Sequence, residues 1–173
     1  MSGFRKTALV AMSWLSLLTP LLSASAAEKA APKNPLLGTW TLVSVDSVKA
    51  DGSRVALYGP EPQGVLIFDG QGRYASQIMR AQRPRFASGK KNDGTAEEYK
   101  AAAQGVNAHF GEYALNPVAG LISFRIQHAL FPNWEGTTQD RKFTLANDQL
   151  TYTVPVPTSG DGAFDEVVWR RAD

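Results

Sequence analysis

The chain has 173 residues, no cysteine, and 18 Lys plus Arg against 16 Asp plus Glu. Arg5 and Lys6 lie in an N-terminal leader without acids, so past residue 26 the balance is 16 against 16, and neither nucleic acid nor an anionic membrane is indicated as a partner. With no disulfide available, the 147 residues after position 26 must stand on a hydrophobic core, and their number suffices for one domain.

Residues 1–26 read as a secretory signal peptide. Arg5 and Lys6 form the positive start, residues 7–22 are the apolar run, and Ala24-Ser25-Ala26 is a small-residue cleavage site placing the mature start at Ala27. Ser13, Ser16, Thr19 and Pro20 interrupt that run, which falls short of the roughly 20 residues that span a bilayer, so no stable membrane anchor is expected. The expected location is the periplasm or the exterior. Residues 27–35, polar and proline-containing, read as a disordered tether, and residues 36–173 as the folded domain.

The first strand is expected at residues 36–45. Trp40 and Leu42 alternate onto one side and Val43 and Val45 onto the other, and Gly38 lets the backbone pass close beneath the indole. Residues 64–68 and 72–80 flank Asp69-Gly70-Gln71 as a hairpin. Residues 81–93, rich in Arg, Pro, Lys and Gly, read as a long exposed loop. A helix is expected over 95–104, opened by the capping box Thr95-Ala96-Glu97-Glu98 and stopped by Gly105. Further strands are expected at 107–115, 121–130, 139–145, 149–154 and 164–171. The total is eight strands, and eight antiparallel strands close into a barrel whose interior just holds side chains or one small ligand. The expected class is therefore all-β, an eight-stranded antiparallel barrel with one short helix.

Several stretches together carry a family resemblance. They are Leu37-Gly38-Thr39-Trp40, Gly64-Val65-Leu66-Ile67-Phe68 with Asp69-Gly70, Gln77-Ile78-Met79-Arg80, Gly111-Glu112-Tyr113, the segment Leu130-Phe131-Pro132-Asn133-Trp134-Glu135-Gly136-Thr137, and Trp169-Arg170 on the last strand. The chain resembles the lipocalin superfamily and, within it, the bacterial and fungal lipocalin-like domain family. The resemblance implies an eight-stranded barrel in which an arginine of the last strand, Arg170 here, packs over the first-strand Trp40, with Gly38, Trp40 and Arg170 as structural residues. It also implies a small-molecule binder, although relatives of this architecture include isomerases and cyclases, and fold alone is a weak warrant for chemistry.

Strand 121–130 is the most informative for chemistry. Simple alternation puts Ile122, Phe124, Ile126, His128 and Leu130 on one face and Ser123, Arg125 and Gln127 on the other. With the apolar face inside, His128 points into the barrel, where it would position a ligand carbonyl, act as a base, or simply be a satisfied core histidine. Glu112 and Tyr113 are neighbours that face opposite ways, and either would meet His128. His109 has no apolar register around it and reads as surface. On strand 72–80, Gln77 and Met79 share one face and Tyr74, Ile78 and Arg80 the other. The first set suits an adaptable pocket and the second a packed core; periodicity leaves the choice open. Trp134 in its turn is expected to fold back as a lid over the barrel end. Arg80, Arg83 and Arg85 read as a solvated loop, with an anionic gate as the sharper alternative.

Two histidines nineteen positions apart without cysteine make a zinc site improbable, and G-x-S-x-G, G-x-G-x-x-G and P-loop patterns are absent. No metal and no cofactor is expected. The leading expectation is an exported protein that binds a small, largely apolar or amphipathic ligand through His128, Phe124, Ile126, Ile122, Gln77, Met79, Tyr113 and Trp134. The alternatives are a small-molecule isomerase or cyclase with His128, Glu112 and Tyr113 as catalytic residues, and a non-binding envelope or interaction module with a solid core.

Overall fold

The structure is a computed structural model describing Gly3, residues 34–158 and residues 162–172. The chain divides into residues 1–32, of which only Gly3 is described, and residues 33–173, which contain every element below. Apart from Gly3, the expected signal peptide and the first seven residues of the tether, 27–33, lie outside the described residues. Asn34 and Pro35, read above as the end of the tether, are described and engaged with the barrel.

Nine strands follow in chain order: β1 (Gly38–Val48), β2 (Arg54–Ala56), β3 (Gln63–Phe68), β4 (Arg73–Met79), β5 (Val106–Asn116), β6 (Leu121–Ala129), β7 (Thr138–Ala146), β8 (Gln149–Val154) and β9 (Phe164–Arg171). From β3 to β9 each strand pairs antiparallel with the next, and β1 pairs with both β3 and β9. That closes eight strands into a barrel and leaves no open edge in the ring. β2 is additional: three residues paired with the far end of β1, absent from the sequence expectation because so short a run has no readable period. The β7–β8 turn is Asn147-Asp148, both at positive φ (50° and 58°), the conformation of a two-residue type I′ hairpin.

The helix, α1 (Ala96–Gln104), begins at Thr95, whose side chain accepts from the Glu98 amide while the Glu98 carboxylate accepts from the Thr95 amide. Its carboxylate also accepts from the Ala87 amide at 2.7 Å, which ties the exposed loop before the helix to its first turn.

Two bulges reset which side chains face inward. On β1, Leu42 and Ser44 face adjacent residues of β9, Trp169 and Val168, so Val43 is the extra residue. Trp40 and Leu42 are inside before it, and Val45 and Ser47 are inside after it. Val45 therefore shares the interior with Trp40, contrary to simple alternation. On β6 the partners of Phe110 and Gly111 are His128 and Ile126, so Gln127 is the extra residue. Gly111 makes the irregular pairing feasible: a Cβ there would sit 2.1 Å from the Arg125 carbonyl oxygen, closer than any side chain permits.

Candidate ligand-binding site

The barrel has two unlike halves. One end is filled. Trp40, Trp169, Leu66 and Leu150 have no solvent exposure, and Phe68, Tyr113, Leu115 and Phe143 pack among them. Leu36 lies across this end fully buried, and its carbonyl accepts from the Trp40 indole at 2.8 Å. The Arg171 guanidinium stands 4.2 Å over the Trp40 ring and donates to the carbonyls of Leu37 (3.0 Å) and Pro35 (2.8 Å). Asn34 donates to the Tyr113 hydroxyl at 2.7 Å, and that hydroxyl donates to the Asp69 carbonyl at 3.0 Å. Gly38 at φ +115° turns the chain from this plug into β1, a conformation that side-chain-bearing residues rarely adopt.

The other half contains a cavity of about 350 Å³, within the size range of small-molecule sites. Val45, Ile78, Val154 and Val167 give it apolar walls. Asn107, His109, Arg141 and Asp165 add polar groups, and Leu57, Tyr58 and Trp134 stand at its mouth. Strand parity explains these positions. Asn107 and His109 precede Gly111, Tyr113 and Leu115 on the inner face of β5. Gln139 and Arg141 precede Phe143 and Leu145 on the inner face of β7, and Asp165 precedes Val167 and Trp169 on β9.

His109 accepts or donates a 2.8 Å hydrogen bond between its Nδ1 and the Tyr74 hydroxyl, and its ring packs edge-on against Trp134 and Phe124. Burial, aided by the nearby Arg141 cation, pushes its pKa down to about 4, so the imidazole is neutral at physiological pH. Burial also raises the Tyr74 phenol well above its ordinary value. With Tyr74 donating to Nδ1, the proton resides on Nε2, and the ring presents a donor on its other side. The Asp165 carboxyl is likewise raised by burial, and Asn107 Oδ1 and Asp165 Oδ1 are buried atoms without a hydrogen-bond partner among the described residues. Buried oxygens of that kind are commonly met by water or ligand. Among the described residues no group of three His, Cys, Asp or Glu side chains is arranged to hold a metal ion.

His128 is not in this cavity. The extra residue Gln127 inverts the parity of β6, so His128 is outside, its side chain 68% exposed and 3.4 Å from Glu135. Glu112 is also outside, where it accepts from Arg125 at 2.8 Å. Tyr113 faces inward but belongs to the filled end. The three side chains named for catalysis are therefore not brought together, and the buried histidine is His109, which the sequence read as surface.

Ile122, Phe124 and Ile126 are buried as expected. They pack the wall, with Phe124 touching Tyr74, His109 and Tyr152, and do not border the cavity. Gln77 and Met79 face outward, because Tyr74, Ser76 and Ile78 hold the inner face of β4. Trp134, in a single 3-10 turn (Pro132–Trp134), covers the mouth between His109 and Phe131. Arg170 faces outward too. Trp169 fixes the inner parity of β9, so Arg171, not Arg170, reaches Trp40.

The cavity groups that sequence reasoning missed are His109, Arg141 and Asp165. A signal for Arg141 was present: it shares the period-two face of Phe143 and Leu145.

Comparison with known proteins places this geometry. Residues 37–172 match the lipocalin-like domain family. A curated relative, the 4'-hydroxy-3'-methoxypropiophenone carrier protein of Aspergillus oryzae, is 26% identical over 105 residues, 56% of this chain and 95% of the relative. Among crystal structures, a lipocalin-like protein from Bacteroides uniformis has a TM-score of 0.43 at 16% identity, covering 79% of this chain and 98% of that one. An uncharacterized protein from Bacteroides eggerthii has a TM-score of 0.40 at 13% identity, covering 79% and 99%. With the match running from the Trp40 plug to the last strand, this chain belongs to the lipocalin-like domain family.

Proposed function

We propose that the protein is an exported carrier that binds one small, largely apolar molecule in the open half of its barrel. The observation that carries this reading is the half-hollow interior: a cavity with Val45, Ile78, Val154 and Val167 as walls, at the end away from the Trp40 plug. A solid-core module would have filled this end as it fills the other. The A. oryzae relative supports the same reading, since its name describes the carriage of a phenolic aromatic ketone, a compact ring with polar substituents. A ligand of that kind suits apolar walls with a few convergent polar groups. Export rests on the leader of residues 1–26, with residues 27–35 joining it to the domain.

Native mass spectrometry of the protein from the exported fraction, beside a denatured control, tests both parts. The expected result is a chain beginning at Ala27 that carries extra mass lost on denaturation. An intact leader would overturn export. A bare mass that stays bare after incubation with small aromatic ketones would overturn carriage.

A further inference from the structure

Arg141 is the one arginine of the described residues that both lines the interior cavity and makes no ion pair. Arg54, Arg73, Arg125 and Arg171 are each paired with a carboxylate, Glu166, Asp69, Glu112 and Asp148 respectively. Arg141 instead donates to two uncharged oxygens, the Gln139 side-chain carbonyl and, at 3.2 Å, the Asp140 backbone carbonyl. A guanidinium has five N–H donors, so about three have no acceptor among the described residues. Burial draws its pKa below the ordinary value, against the opposing pull of Tyr152, Tyr74, Asp140 and Asp165. Guanidinium nevertheless stays protonated in proteins, so this is a standing positive charge beside the cavity's apolar walls.

Among the described residues two acids border the same cavity, and neither forms an ion pair with Arg141. Asp140 faces the other side of β7 and accepts from the Ser123 hydroxyl at 2.6 Å. Asp165 makes no ion pair with Arg141, and burial raises its carboxyl against the Ser47 hydroxyl and the Arg141 cation, which lower it. Among the described residues the other titratable groups around Arg141 are Tyr74, Tyr152 and His109, and all three are uncharged at neutral pH by the directions of their shifts. A half-buried cation with spare donors gains most from an anion that brings its own acceptors, and the planar fork matches a carboxylate.

Resting on the carrier reading above, we propose that Arg141 selects the ligand: a small molecule with one carboxylate on a compact apolar body, its head group on the guanidinium and its body against Val45, Ile78, Val154 and Val167. The neutral Nε2–H of His109 is a second donor for that head group.

The test is calorimetric titration of the protein at pH 7 with 2-naphthoate and with 2-naphthamide, which share a ring system and differ in head-group charge. The wild type is expected to bind the carboxylate at least about tenfold more tightly, as charge-assisted hydrogen bonds imply. Arg141→Met is expected to lose the preference, its affinity for the carboxylate falling to that for the amide or below, and Arg141→Lys to keep part of it. Equal affinities in the wild type, or a carboxylate preference that survives in Arg141→Met, would overturn this proposal while leaving the carrier reading in place. Failure of both compounds to bind the wild type would overturn both. Should Arg141→Met not fold, the Arg141 Nε–Hε resonance of the wild type decides: a shift with naphthoate and none with naphthamide supports the proposal, and equal behaviour overturns it.

Discussion

The two ends of this barrel are built from the same strands and do opposite things. At the plugged end the inward side chains are aliphatic or aromatic, and Arg171, Asn34 and the Trp40 indole are satisfied by backbone carbonyls or a tyrosine hydroxyl, while the Trp169 indole N–H has no partner among the described residues. At the open end Arg141, Asp165 and Asn107 occupy inward positions and leave hydrogen-bonding capacity unused. Stability is concentrated at the first end and binding capacity at the second. A few substitutions separate the two.

The largest expected effect is at the plug. Trp40→Ala should lower the unfolding free energy by about 3–5 kcal/mol, measured by urea denaturation, because a fully buried indole and its hydrogen bond are lost. Trp134→Ala, at the mouth, should cost less than about 1 kcal/mol and instead weaken ligand retention. Equal costs at the two tryptophans would break the comparison.

Next is the pH dependence of the open end. His109 titrates near 4 when folded and near 6.5 when unfolded, so between these values the unfolded chain binds more protons and stability rises with pH. Its contribution is complete above pH 6.5 and lost as pH falls through 4. The difference between wild type and His109→Gln should change by roughly 2–3 kcal/mol across that window, and the ring resonances of His109 should show no titration near 6.5. Titration near 6.5 would contradict its burial.

A smaller effect is expected at the bulge. Gly111→Ala drives a methyl group into the Arg125 carbonyl and should cost about 1–3 kcal/mol. The smallest pair concerns the cation over the plug. Arg171→Met should cost about 1–2 kcal/mol, from a cation–π contact and two hydrogen bonds to carbonyls. Arg170→Met and His128→Ala should each stay within about 0.5 kcal/mol.

These residues also mark how far the sequence could be read. The eight barrel strands, the Asp69 hairpin, the capped helix and the shared face of Trp40 and Leu42 were legible because each rests on local chemistry: alternation, turn dipeptides, a capping box. The histidines were interchanged because a bulge is a property of two paired strands, and nothing within residues 121–130 announces that Gln127 is unpaired. Val45 was assigned to the wrong side for the same reason at Val43. The arginine over Trp40 was misplaced by one residue, although the period running through Val167 and Trp169 points to Arg171. Arg141 escaped notice because its strand, with Thr138, Asp140 and Lys142 outside, reads as a polar surface strand until Phe143 and Leu145 are used to set its inner face.

The most direct test of the two-ended account is a set of amide and indole NMR spectra recorded during titration with 2-naphthamide, a neutral probe independent of the charge on Arg141. The expected result is shifts at Val45, Ile78, Asn107, His109, Val167 and the Trp134 indole, with the Trp40 and Trp169 indoles unmoved. Shifts confined to the outer face, at Ile67, Phe110 and His128, or no shifts at all, would contradict it.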